Sequence, residues 1–183
     1  MAQTSPIRRI AIVGPESTGK SQLSQALATH YHSVWVEEYA REYLHHLPGP
    51  YQEEDLLAIA QGQLAREEAA LSHAQDWLFC DTNLLVINIW SEYKYGRCHP
   101  WIEAHLGLGR YHLHLLTDID LPWQEDPLRE HPHARQELFD IYHRKLSQAG
   151  VPFAVVRGAG GQRLAAAIAA IESRGLSSAK QAT

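Results

Sequence analysis

Ile7-Arg8-Arg9-Ile10-Ala11-Ile12-Val13-Gly14-Pro15-Glu16-Ser17-Thr18-Gly19-Lys20-Ser21 is the stretch that decides the fold. Its last eight residues fill every fixed position of the pattern G-x-x-x-x-G-K-[ST]. Ile10 to Val13 form a short apolar run suited to a buried parallel strand. Downstream, Leu23, Ala26, Leu27 and Tyr31 fall on one face of a helix. A strand end that feeds a helix N-terminus is the setting in which this pattern has physical meaning. Gly14 and Gly19 let successive N–H groups curl towards an anion. Lys20 can then reach the β- and γ-phosphates, and the Ser21 hydroxyl can ligate Mg²⁺. Glu16, Ser17 and Thr18 complete the loop that would hold the nucleotide. A Gly-containing turn with an exposed lysine is the bland alternative. The residues imply a nucleoside triphosphate site.

The bulk properties narrow the setting. At 183 residues the chain is long enough for one domain with a substantial core. Net charge is −5, with four lysines among the sixteen basic residues and no basic block, which argues against a nucleic-acid surface. Cys80 and Cys98 are too few for a disulfide framework, and Cys80 lies in an apolar run that reads as core. No apolar stretch approaches membrane-spanning length, and the N-terminus lacks a signal-peptide core, so a cytoplasmic setting is expected. The twelve histidines are scattered without a metal-ligand spacing and read as loop and surface residues.

Five strand candidates alternate with helical patterns: Ile7–Val13, Val34–Glu37, Trp77–Cys80, Tyr111–Leu116 and Pro152–Val156. A long helical segment separates the second from the third. Glu53, Glu54 and Asp55 suit the positive end of its dipole, and Leu57, Ala60, Leu64 and Leu71 form its stripe. Asp81 to Tyr93 reads as a helix. Phe139, Tyr142 and Leu146 mark another, and Leu164, Ala167, Ile168 and Ile171 mark the last. This alternation predicts an α/β, three-layer P-loop NTPase fold. Its five-stranded parallel sheet carries helices on both faces. Residues 1–174 are expected to form one domain with a small Arg-bearing lid at about 121–135, and 175–183 a frayed tail.

Ligands gather beyond the carboxyl ends of the strands of such a sheet. That rule nominates Glu37, Glu38 and Arg41, then Asp81, then Thr117 and Asp118, then Arg157. Asp81 holds the place of a metal-side acid and could equally cap the helix that follows. Thr82, rather than glutamate, comes next. No carboxylate is therefore placed there to orient water, which favours transfer to another acceptor. Glu38 could take a proton from an attacking hydroxyl, with Arg41 steadying it, or could simply open a solvated helix. Leu121 to Arg135 carries three prolines and few periodic apolar residues. It reads either as a surface loop or as a lid whose Arg129 and Arg135 stabilise charge on a transferring phosphoryl group. Trp90, Tyr93, Tyr95 and Trp101 read as core, or as stacking partners for a flat acceptor ring.

These segments resemble the ribosylnicotinamide kinase domain of the NadR family, a P-loop kinase group, from about Ile7 to Arg174. The resemblance rests on Gly14 to Ser21, on Glu38-Tyr39-Ala40-Arg41-Glu42 and on Asp81-Thr82. It extends through Gly96-Arg97-Cys98-His99-Pro100 and Pro122-Trp123 to Asp126, Leu128 and Arg129. It implies an ATP- and Mg²⁺-dependent kinase that phosphorylates the 5′-hydroxyl of nicotinamide riboside, giving nicotinamide mononucleotide for NAD synthesis. Ser21 and Asp81 would be the metal side. Glu38, Tyr39, Arg41, Asp81, Tyr93 and Tyr95 would surround the acceptor. Two departures stand out. Pro127 replaces a usual lid glycine, and Glu37 and Lys94 stand where stacking aromatics are expected, leaving Tyr39, Tyr93 or Tyr95 to substitute. The H-x-G-H motif of a nucleotidyltransferase is missing from this sequence, so a separate adenylyltransferase protein is expected to complete NAD. A kinase for another nucleoside or a nucleoside monophosphate, and an ATP-binding regulatory module, are the competing readings.

Overall fold

A computed structural model describes residues 6–176. Most of the expected tail, residues 177–183, lies outside the described residues. In chain order the elements are β1 (Arg8–Val13), α1 (Lys20–His30), β2 (Val34–Val36), α2 (Tyr39–His46), α3 (Glu53–Leu71) and β3 (Trp77–Asp81). They continue with α4 (Leu84–Tyr95), α5 (Pro100–His105), a 3₁₀ turn at Leu108–Arg110, β4 (Leu113–Thr117), α6 (Arg135–Ala149), β5 (Phe153–Val156) and α7 (Gly161–Glu172). Every strand pairing is parallel, in the order β2-β3-β1-β4-β5. The three-layer α/β fold expected from the alternation is the fold observed.

Alternation along β1 explains the layers. Ile10 and Ile12 face one side of the sheet and pack with Leu23 and Leu27 of α1 and Ala167 and Ile171 of α7. Ala11 and Val13 face the other, against Leu85 and Ile89 of α4 and Leu138 and Leu146 of α6. All four β1 residues are fully buried, as a strand covered on both faces requires. Cys80 lies in the second of these layers, as core. A satellite cluster of Ala40, Leu56, Ile59, Leu84 and Ile102 ties α2, α3, α4 and α5 together. Among the described residues no helix is long and apolar enough to cross a membrane.

Several expectations shift in detail. The long helical segment that starts at Glu53 is α3, and a shorter helix, α2, precedes it, the two separated by Pro48-Gly49-Pro50. The stripe of α3 is Leu56, Ile59, Ala60, Gln63 and Glu67, with Leu57 and Leu64 half-buried. Two polar residues sit on that stripe because each has a hydrogen-bond partner: Gln63 accepts the Tyr39 N–H at 2.8 Å, and Glu67 accepts the Tyr111 hydroxyl at 2.7 Å. On α6 Leu138 is buried and Phe139 half-buried, and on α7 Arg163 takes a buried position. Asp81 closes β3 instead of opening α4. The cap is Asn83, whose side chain accepts from Leu85 N at 3.1 Å. At the other end of α4, Gly96 adopts the left-handed conformation that stops a helix.

Candidate active site

The parallel order puts the carboxyl ends of all five strands on one edge, and a cavity of about 730 Å³ opens there. That volume lies within the range of small-molecule sites. Its floor is the loop from Gly14 to Ser21, and its far wall includes Glu38, Asp81, Trp90 and Tyr93. Leu121, Asp126, Arg129 and His131 of the 121–135 segment cover it.

The loop is shaped to receive an anion. Gly14, Ser17 and Gly19 have φ of 143°, 57° and 75°, which turn consecutive N–H groups towards a common centre. The fold braces it from behind. The Thr18 hydroxyl lies 2.7 Å from both the Pro15 carbonyl and the Thr117 hydroxyl, and the Thr117 hydroxyl lies 3.2 Å from the Val13 carbonyl. Arg163, only 3% exposed, donates to the Thr18 carbonyl at 3.1 Å and the Gly158 carbonyl at 2.7 Å while pairing with Asp120. Sequence reasoning missed Arg163. Its signal was a guanidinium four residues before Ala167 and eight before Ile171, on the apolar stripe of α7.

Lys20 opens α1 and donates to the Pro15 carbonyl at 2.9 Å. Burial lowers its pKa, opposed by the carboxylates of Glu38, Asp81 and Glu16. Ser21 neighbours Asp81, whose carboxyl is pushed up by burial and by Glu38 against the pull of Ser21 and Lys20. Asp81 Oδ1 is buried without a hydrogen-bond partner. A hydroxyl beside a carboxylate with an unused, buried oxygen fits a hard divalent cation, so Ser21 and Asp81 are the residues that would hold Mg²⁺.

Glu38 stands at the N-terminal end of α2, where its side chain pairs with Arg41 at 3.3 Å. Arg41 reaches on to Asp126 of the covering segment at 3.0 Å. That segment has no helix or strand from residue 118 to residue 134. The loop beneath fastens it: Glu16 accepts from the N–H groups of Glu130 (3.1 Å) and His131 (3.0 Å), and Ser17 Oγ accepts from Gln124 N–H at 2.8 Å. The side chain of Glu16 thus faces the cover. Arg129 lines the cavity and donates to Ser17 Oγ at 3.4 Å. Arg135, at the start of α6, donates to the carbonyls of Leu121 (2.9 Å) and Ser17 (3.4 Å) and does not line the cavity.

The other nominated residues divide. Tyr93 lines the cavity, its hydroxyl on Glu137 at 2.9 Å and its ring edge-on to His131. Tyr39 and Tyr95 are not among the lining residues. The Tyr39 ring fills the notch at Gly62 and lies under Arg66, and Tyr95 packs on the satellite cluster. Asp118 and Arg157 pair with each other at 2.6 Å. The sequence reading also missed Trp35, Arg66, His131 and Tyr142 in the lining. They come from β2, α3, the covering segment and α6, so no local motif unites them.

Comparison with known proteins agrees with this geometry. A family model described as an AAA domain matches residues 9–163. The chain is 30% identical over 153 residues to the trifunctional NAD biosynthesis/regulator protein NadR of Escherichia coli K12, covering 80% of this chain and 37% of that protein. A crystal structure of a NadR protein in complex with NAD and AMP-PNP superposes with a TM-score of 0.75 at 21% identity, over 94% of this chain and 50% of the other. A second, in complex with NR, gives 0.73 at 20% identity, over 92% and 51%. The chain therefore spans about half or less of the length of each of these relatives.

Proposed function

The chain belongs to the AAA domain family, and from that membership and the geometry of its cavity we propose that it is a nicotinamide riboside kinase. The product would be nicotinamide mononucleotide, made at the expense of ATP. One observation carries the reading. The phosphate-shaped loop and the pocket bounded by Glu38, Asp81, Trp90 and Tyr93 open into a single covered chamber. A donor phosphate and an acceptor hydroxyl bound there would meet partly sheltered from bulk water.

In this reading the 5′-hydroxyl oxygen attacks the γ-phosphorus, the bond to the β-γ bridging oxygen breaks, and ADP leaves. Glu38 takes the hydroxyl proton. Lys20 and Arg129 bring positive charge to the transferring group. Mg²⁺ held by Ser21 and Asp81 would neutralise phosphate charge. Arg41 holds the Glu38 carboxylate in place. The relatives support this acceptor: the E. coli protein is an NAD biosynthesis/regulator protein, and one NadR structure is a complex with NR.

The charge balance of the acceptor side favours a nucleoside over a monophosphate. A second phosphate would need free guanidinium groups. Arg41 is committed to Glu38 and Asp126, and Arg66 to Glu42; Arg97 pairs with Glu53 and does not line the cavity. Glu37, Glu38 and Glu42 outnumber Arg41 and Arg66 on this side, and the net negative charge suits the positively charged pyridinium ring of nicotinamide riboside.

The test is purified protein with Mg²⁺–ATP and a panel of nicotinamide riboside, other nucleosides and monophosphates. Acceleration of ADP release by nicotinamide riboside above the others is the expected result. No acceleration by any acceptor would remove the kinase reading, and acceleration by a monophosphate alone would overturn the substrate.

A further inference from the structure

Tyr51 lies in the turn between α2 and α3, outside the cavity lining, yet its hydroxyl is the centre of a compact network. It accepts hydrogen bonds from the Trp90 indole N–H at 2.8 Å and from Lys94 Nζ at 2.6 Å, and donates to Glu130 Oε2 at 2.5 Å. Lys94 donates as well to Glu130 Oε1 at 2.9 Å. Two acceptor sites and one donor exhaust what a phenol can do, so the group is saturated. The Tyr51 ring also meets Trp90 edge-on, with centroids 4.9 Å apart.

Glu130 is gripped from two sides. Its carboxylate is held by Tyr51 and Lys94, which belong to the wall behind the acceptor pocket. Its backbone N–H is held by Glu16 of the phosphate loop at 3.1 Å. The residue before it is Arg129, which lines the cavity over Ser17. Trp90, at the other end of the network, lines the acceptor side of the same cavity. We propose that Tyr51 and Lys94 are positioning residues: they latch the lid through Glu130, so that the acceptor wall at Trp90 and the lid arginine at 129 are set together. Acceptor seated against Trp90 then favours the arrangement in which Arg129 meets the phosphate, and an empty acceptor pocket leaves the lid less firmly held. The consequence is selectivity for the acceptor hydroxyl over water. Burial and Glu130 keep the Tyr51 phenol well above its ordinary range, so it stays a donor. Although burial opposes it, Tyr51 and Lys94 hold Glu130 below the usual carboxylate range.

The catalytic consequence rests on the kinase reading; the latch itself does not, and two readouts on the full chain separate them. The first is hydrogen–deuterium exchange of residues 121–135 with Mg²⁺–AMP-PNP bound. The second is the ratio of ATP hydrolysed to nicotinamide riboside phosphorylated. Tyr51→Phe and Lys94→Met are expected to speed exchange of the lid by ~10-fold, the loss of one charge-assisted hydrogen bond, and to raise the hydrolysis ratio. The KM for ATP should stay near the wild-type value. The double variant Lys94→Glu/Glu130→Lys keeps both partners and should recover lid protection. Unchanged exchange in both single variants, or a swapped pair no better protected than they are, would overturn the latch. If the wild type phosphorylates no acceptor, the kinase reading falls while the exchange measurement still decides the latch.

Discussion

Gly14 faces Thr117 so closely that a Cβ added at position 14 would stand 2.5 Å from Thr117 Oγ1 and 2.9 Å from the Thr117 carbonyl oxygen. The φ of +143° at Gly14 excludes a side chain independently of that clash. Gly14→Ala should therefore open the brace between the phosphate loop and β4. Strain of about 1–3 kcal/mol predicts a fall in Tm of at least roughly 3 °C. Nucleotide affinity, measured by calorimetry with ADP, should fall with it; wild-type Tm and affinity together would refute the brace.

Lys20 behaves oppositely. Among the described residues its one hydrogen bond is to the Pro15 carbonyl, and burial disfavours its charge. Lys20→Ala should reduce turnover by at least ~10²-fold and leave the Tm at or above that of the parent protein. A thermal melt showing marked destabilisation without nucleotide would mean the lysine supports the fold.

Glu67 links α3 to Tyr111 from a fully buried position. Burial pushes its pKa up to about 7, opposed by the Tyr111 hydroxyl, Arg9 and Arg110 and aided by Glu68. The Cys80 thiol also reaches it. The folded state thus binds this proton more tightly than the unfolded chain does. The sign follows: stability falls as pH rises from the unfolded value near 4.5 through about 7, and the penalty is complete above that. Glu67→Gln keeps an acceptor for Tyr111 and removes the penalty. Its stability at pH 8 should exceed wild type by on the order of 3 kcal/mol, with the difference vanishing near pH 4. Denaturation curves at the two pH values check this, and parallel curves for the two proteins would refute it.

Arg163→Met would leave the carbonyls of Thr18 and Gly158 without their donor and Asp120 without its partner. A loss of at least about 1.5–3 kcal/mol is expected, with weaker nucleotide binding because Thr18 belongs to the loop. Lysine, with no planar fork, should rescue little. Chemical denaturation alongside ADP titration tests both parts, and unchanged nucleotide affinity would show the arginine serves α7 alone.

The layers and the donor site were legible in the sequence for a local reason. Ile10 to Ser21 carry strand, loop and helix start in one contiguous run, and the later strands are apolar in the same way. Contacts made across the sequence were not legible. Tyr51 and Glu130 are 79 residues apart, and Thr18 and Arg163 are 145 apart. Neither partner announces the other. Position 81 shows the intermediate case. Asp-Thr-Asn suggested a helix cap, but β3 runs one residue further, which left the cap to Asn83 and freed Asp81 for the cavity. Tyr39 reads in the sequence as a substitute for a stacking aromatic, but the bare surface of Gly62 draws its ring away.

The central place of β1 has a bearing on how this chain is made. β1 pairs with β3, where Ile10 aligns with Phe79, and with β4, where Ile10 aligns with Leu113. Its loop is then braced by Thr117 and by Arg163 of the last helix. The phosphate loop is synthesised before β3, β4 and α7, the elements that pair with β1 and brace the loop, so it is completed only after they have been made. Chains that stop before α7 would lack the Arg163 brace, and the long-range pairings around β1 point to slow assembly.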